Sequence, residues 1–128
     1  MHKGFLKIAA VLGLIAVALG AFGAHGLKNV VSAQAVATFE TGVRYQFYHV
    51  FALIAVALLY KEFPAVKTAG WLFITGIILF SGSLYALALV QGMVQPGFKW
   101  LGPITPLGGL FFIVGWAALF LAINKKRS

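Results

Sequence analysis

Four stretches of this sequence run for about 20 residues each with almost no charge, and that property excludes most folds. A helix that crosses about 30 Å of hydrocarbon at 1.5 Å per residue needs about 20 apolar residues. The runs extend from about Gly4 to Ala24, Thr41 to Tyr60, Gly70 to Val90 and Thr105 to Ile123. They are continuous, with none of the period-two alternation of a β-barrel strand. The composition agrees, since 62% of residues are hydrophobic and 9% charged, against about a quarter charged in soluble domains. Four spans and their connections use up all 128 residues. The expected fold is therefore an all-α membrane protein, a single domain over 1–128 with four transmembrane helices in a compact bundle.

Lys and Arg number 10 and Asp and Glu 2, a formal net charge of +8. With no room for a solvated domain, this excess does not indicate nucleic acid; it marks topology and suits anionic lipid. An N-terminus inside places Lys3, Lys7, Lys61, Lys67, Lys125, Lys126 and Arg127 in the cytoplasm and leaves Lys28, Arg44 and Lys99 on or near the other side. Both termini are thus expected in the cytoplasm. Trp71, Trp100 and Tyr60 lie near span ends, where amphipathic rings prefer the interface. The first span also has the basic start and small residues (Ala21, Gly23) of a secretory signal, but its length and small-residue face favour retention. The absence of cysteine excludes disulfides, thiol catalysis and iron–sulfur ligation.

Small residues mark the packing faces. At 100° per residue, Ala9, Gly13, Ala16, Gly20, Gly23 and Ala24 share roughly a third of the first helix. Gly108, Gly115 and Ala122 recur at a spacing of seven in the fourth span. Gly82 and Ala86, with Thr75 and Leu79, form a similar face on the third. Such faces let backbones approach closely and gain dispersion contacts. Pro64 marks a tight turn between spans two and three. Ser32 is placed to cap a helix of about 28 residues that starts at Ala33 and runs into the second span. Gly92, Pro96, Gly97, Gly102, Pro103 and Pro106 predict an irregular third loop.

The second span opens with a polar cluster, Glu40-Thr41-Gly42-Val43-Arg44-Tyr45-Gln46-Phe47-Tyr48-His49. Ionisable groups at membrane depth are costly and point to function. The 100° count puts Thr41, Arg44, Tyr45, Tyr48 and His49 on one side and Val43, Phe47, Val50, Ile54 and Ala57 on the other. The polar side is expected to face inward, with Gln46 near lipid. Glu40 and Arg44, and likewise Tyr45 and His49, are four apart and can pair. With His25 at the end of the first span, His25, Glu40, Arg44, Tyr45, Tyr48 and His49 outline an outer pocket for a headgroup or small molecule. The competing reading is that these groups only knit helices together.

Other chemistry fits less well. His25 and His49 lie about 13 Å apart in depth, which argues against a shared haem. His2, at the terminus, reads as incidental. Two acids, with Glu62 in a turn, make neither a carboxylate dyad nor a cation cage, so no metal or cofactor is expected. A Ser–His nucleophile would require Ser81 or Ser83 to meet His49, although such hydroxyls usually bond their own helix.

The runs Ala21-Phe22-Gly23-Ala24-His25-Gly26-Leu27, Phe39 to His49 and Gly102-Pro103-Ile104-Thr105-Pro106-Leu107-Gly108-Gly109 resemble a family of small four-helix membrane proteins. It is known as domain of unknown function 423 and includes bacterial inner-membrane proteins and a eukaryotic transmembrane relative. The resemblance covers essentially the whole chain. It implies the four-span architecture and an inner (plasma) membrane location, but no activity, substrate or cofactor. The leading expectation is a non-enzymatic, homo-oligomeric membrane protein whose polar pocket binds a lipid headgroup or a partner membrane protein. The alternatives are a small transporter or channel for protons or a solute, motivated by Arg44 and His49, and an intramembrane hydrolase or transferase. The charge asymmetry makes one direct prediction: a fluorescent protein fused after Ser128 should fluoresce, whereas alkaline phosphatase at the same place should be inactive. The reverse pattern would invert the topology.

Overall fold

The computed structural model describes residues 1–93 and 101–125; Pro96, Gly97, Lys99, Trp100, Lys126 and Arg127 lie outside them. Helix α1 covers Lys3–His25 and α2 covers Ala33–Leu59. Helix α3, Val66–Gly76, continues through a π-helical segment, Ile77–Ser81, into α4, Gly82–Met93, so these three form one rod. Helix α5 covers Leu101–Lys125. The four rods are long and apolar enough to cross a membrane.

The termini of the helices follow local chemistry. Ser32 Oγ accepts from the Ala35 N–H at 3.1 Å, the expected cap, and launches the 27 residues of α2. At 1.5 Å per residue α2 is about 40 Å long, longer than the hydrocarbon is thick. His2 has a role the sequence reading denied it. Its Nδ1 accepts from the Phe5 N–H at 3.0 Å as the cap of α1, and its own backbone N–H donates to the Ala57 carbonyl at 2.9 Å. Parts of the segment expected to form an irregular third loop are helical. Gly92 belongs to α4, while Gly102, Pro103 and Pro106 belong to α5. Proline early in a helix loses little, because the first four N–H groups have no partner within it; Pro106, slightly further in, removes one bond.

Packing within the bundle is built on aromatic rings seated over glycines. A Cβ added at Gly70 would lie 2.5 Å from the Phe5 ring, one at Gly42 2.8 Å from Tyr85, and one at Gly23 3.1 Å from Phe39. Helices α3 and α5 exchange the contact, since Phe73 fills the space at Gly115 (2.7 Å) and Phe112 abuts Gly76. Gly13 and Gly20 meet Val50 and Val43 at 3.6 and 3.4 Å, so the small face of α1 lies on α2 as the sequence implied, except that Ala24 is exposed. Gly108, Gly115 and Ala122 are all buried, and a Cβ at Gly108 would strike the backbone of Phe80, 2.7 Å from its Cα.

Gly82 departs from the expected pattern, because a Cβ added there meets nothing within 4 Å. The π-helical segment supplies the reason. It amounts to one extra residue in an α-helix, which rotates everything beyond it by about 100°. Gly82 therefore leaves the face shared by Thr75 and Leu79. Replacing Gly108 by Ala should lower stability by about 1–3 kcal/mol through overpacking, whereas Gly82→Ala should stay within about 1 kcal/mol of the parent or gain stability. Unfolding in mixed micelles measures both, and equal losses would contradict this packing.

Candidate functional site

Four polar side chains are buried among the described residues, Gln46, His49, Ser81 and Ser83, and each bonds to at least one other helix. Gln46, 2% exposed, donates from Nε2 to the Leu12 carbonyl of α1 at 2.7 Å and accepts from the Tyr85 hydroxyl of α4 at 2.6 Å. Ser81, turned toward α2 by the π-helical segment, donates to the Gly42 carbonyl at 2.7 Å. Ser83 donates to its own helix at Phe80 and pairs with Thr105 of α5 at 2.5 Å. An amide or hydroxyl without a partner in hydrocarbon costs several kcal/mol, so each such pair specifies how helices meet. None of the buried side-chain nitrogen or oxygen atoms among the described residues lacks a partner.

His49 links α2 to α5. The Trp116 indole N–H, which can only donate, reaches Nε2 at 3.0 Å, so Nε2 accepts and the proton resides on Nδ1. Nδ1 is 2.8 Å from the Tyr45 carbonyl, to which it donates. Phe112 stacks on the imidazole at a centroid distance of 3.6 Å and an interplanar angle of 8°. The expected side-chain bond between Tyr45 and His49 is thus replaced by a bond to the Tyr45 backbone, with the two rings 6.5 Å apart. Both imidazole nitrogens are engaged by groups other than Ser81 and Ser83, whose hydroxyls have partners of their own. This geometry does not assemble the serine–histidine pair that an intramembrane hydrolase would need.

The polar arc of α2 faces the other way from the sequence expectation. Glu40, Arg44, Tyr45 and Tyr48 are exposed, as is His25 at the end of α1, and only His49 lies inside. Val43, Val50 and Ala57, expected toward lipid, are buried, and Gln46 sits at the centre of the inward face. The error has a physical cause. Lipid is as apolar as a protein core, so hydrophobicity does not tell the two sides of a membrane helix apart. What the interior selects is small residues and polar groups that find partners. Five of the six residues thus lie on the outside of the bundle, and His49 alone is buried. Two shallow apolar grooves lie elsewhere on the described surface, one of about 170 Å³ against Leu72, Leu107, Leu110, Phe111 and Val114, another of about 260 Å³ against Lys7, Ile8, Val11 and Leu12. No group of three or more metal-ligating side chains occurs among the described residues.

Gln46, Tyr85 and Trp116 were absent from the expected site. Their signal was present but unspecific: each is a hydrogen-bonding side chain deep within an apolar run, where only a partner on another helix satisfies it.

These features define a multi-pass helical membrane protein whose helices are joined by polar side chains, and comparison with known proteins identifies its family. Residues 19–109 match the family described as protein of unknown function, DUF423. The chain is 44% identical to the UPF0382 membrane protein YwdK of Bacillus subtilis, over 96% of this chain and 98% of that protein. It is 41% identical to a UPF0382 membrane protein of Haemophilus influenzae, over 100% and 99% respectively, and 42% identical to one of Staphylococcus epidermidis, over 96% and 97%. No solved structure matches. The chain belongs to the DUF423 family. Like its relatives it is a membrane protein, with the helices of a multi-pass inner-membrane protein.

The His49–Trp116 contact is open to direct measurement. A double-mutant cycle with His49→Leu and Trp116→Phe should give a coupling of about 0.6 kcal/mol, and at most about 1.7, in the range of interhelical hydrogen bonds in membranes. Strictly additive losses would show that the bond contributes nothing to stability.

Proposed function

We propose that this protein is a non-enzymatic membrane component and that the exposed side of α2 is its recognition surface. The surface receives a lipid headgroup, or the polar side chain of a partner membrane protein, at the flank of the bundle rather than in an internal pocket. The observation that carries this reading is the exposure of Arg44, with Tyr45 and Tyr48 beside it, on a membrane-spanning helix. Gly20 of α1 faces Val43, and α1 ends at His25, so Arg44 lies about 8 Å inside the level where α1 stops. At that depth a guanidinium extends toward the headgroup layer, where a phosphate offers a charge-assisted, bidentate partner.

Tyr45 and Tyr48 strengthen the reading. Their rings meet edge to face at a centroid distance of 5.4 Å, on positions one residue and one turn along the helix from Arg44, and amphipathic rings are enriched near the interface. His25 and Glu40 belong to the same end of the bundle, since Gly23 is seated on Phe39. An Arg on a membrane helix costs about 2.5–3.5 kcal/mol at the bilayer centre and less toward the interface, and an anionic partner offsets what remains at the depth of Arg44. The Arg44→Leu variant should retain its fold, because the side chain is exposed, and should lose most of the phospholipid that co-purifies with the parent. Mass spectrometry of the purified protein measures this; unchanged lipid would count against a headgroup at Arg44.

A further inference from the structure

We propose that the occupant of this α2 surface is a second copy of the same chain, joined by a parallel α2–α2 seam about a two-fold axis along the membrane normal. The inference rests on the preceding reading, that this side of α2 is a recognition surface, and names the partner.

The exposed residues of α2 do not stop at the polar cluster. Ala37, Arg44, Phe51 and Leu58 are all exposed and recur at intervals of seven, and Glu40 and Tyr48 are exposed beside them. At 100° per residue the six fall within roughly a quarter of the helix circumference. A strict seven-residue repeat is the spacing that keeps one helix face in register with another along a left-handed supercoil. The repeat belongs to the helix that the other helices surround most completely. Helix α1 covers one side of α2 through Gly23, Gly20 and Gly13, α4 covers the side at Gly42, and α5 meets it at His49. The stripe from Ala37 to Leu58 is the side they leave open.

Charge complementarity selects a second copy over other occupants. Glu40 is one of only two acidic residues in the chain, and it lies one turn from Arg44 on the open stripe. In a parallel seam each such residue packs between positions of the facing helix one turn away. Glu40 of each chain therefore meets Arg44 of the partner subunit, and the two-fold axis makes the pair twice. A phosphate-bearing headgroup would answer Arg44 but not Glu40.

Because the chain has no cysteine, single-cysteine variants report this geometry without background. In native membranes, Tyr48→Cys and Phe51→Cys should cross-link to dimers with a short bifunctional maleimide. Leu14→Cys on α1 and Ile113→Cys on α5, equally exposed but away from the stripe, should stay monomeric. Glu40→Arg added to Phe51→Cys should cut cross-linking at least several-fold, and Glu40→Arg with Arg44→Glu should restore it. Cross-linking at positions 48 and 51 no greater than at 14 and 113 would overturn the proposal, as would indifference to the charge reversal. Measuring co-purified lipid on the same preparations separates the two readings. Lipid lost in Arg44→Leu without cross-linking removes the second copy and leaves a headgroup surface, whereas cross-linking with unchanged lipid upholds the dimer and removes the headgroup.

Discussion

Aromatic rings seated over glycines are the contact on which the rest of the bundle depends. Between helices in lipid there is no water to release, so burial of apolar area contributes little and close dispersion contact must supply the association. Phe5 over Gly70, Tyr85 over Gly42, Phe39 over Gly23 and the exchanged pair of Phe73 on Gly115 and Phe112 on Gly76 supply it at both ends and on both sides. Each glycine removes a Cβ from the path of a ring, and each ring fills the space that the missing Cβ leaves. The arrangement also brings backbones close enough for side chains to reach carbonyls on neighbouring helices, as Gln46 reaches Leu12 and Ser81 reaches Gly42.

The polar interior follows from that closeness. Gln46, His49, Ser81 and Ser83 are engaged in pairs across α1, α2, α4 and α5, and the pairs fix the rotational setting of each helix. Dispersion contacts alone tolerate small rotations, whereas an unpaired amide in hydrocarbon does not. The π-helical segment takes part in this, because the extra residue that moves Gly82 off its expected face also directs Ser81 toward α2. Local helix geometry and polar satisfaction are thus one adjustment. Its result is an inside whose polar atoms all have partners among the described residues and an outside, along α2, that carries Glu40, Arg44 and Tyr48.

Much of this was legible in the sequence, and the reasons can be seen residue by residue. The Ser32 cap and the length of α2 were readable because capping is local chemistry within three residues. The buried face of α1 was readable because small residues at helical spacing have few other uses in a span. The direction of the α2 arc was not, because Val43 and Val50 satisfy lipid and core equally well. The role of Gln46 was hidden because its partners, Leu12 and Tyr85, lie 34 and 39 residues away. The role of His2 is not legible in the sequence, because a terminal residue gives no hint that Ala57 lies alongside it.

What the sequence by itself determined is the number of spans, the Ser32 cap and the close approaches on α1 and at Gly108 and Gly115, all consequences of hydrocarbon thickness and backbone geometry acting locally. Only the tertiary structure decided which side of each helix turns inward, and with it the split of the polar residues into a satisfied interior and an exposed stripe. The physical reason is that a bilayer rewards apolar surface on every side. Orientation is left to dispersion contacts and hydrogen bonds between residues distant in the chain, and these exist only once the helices have met.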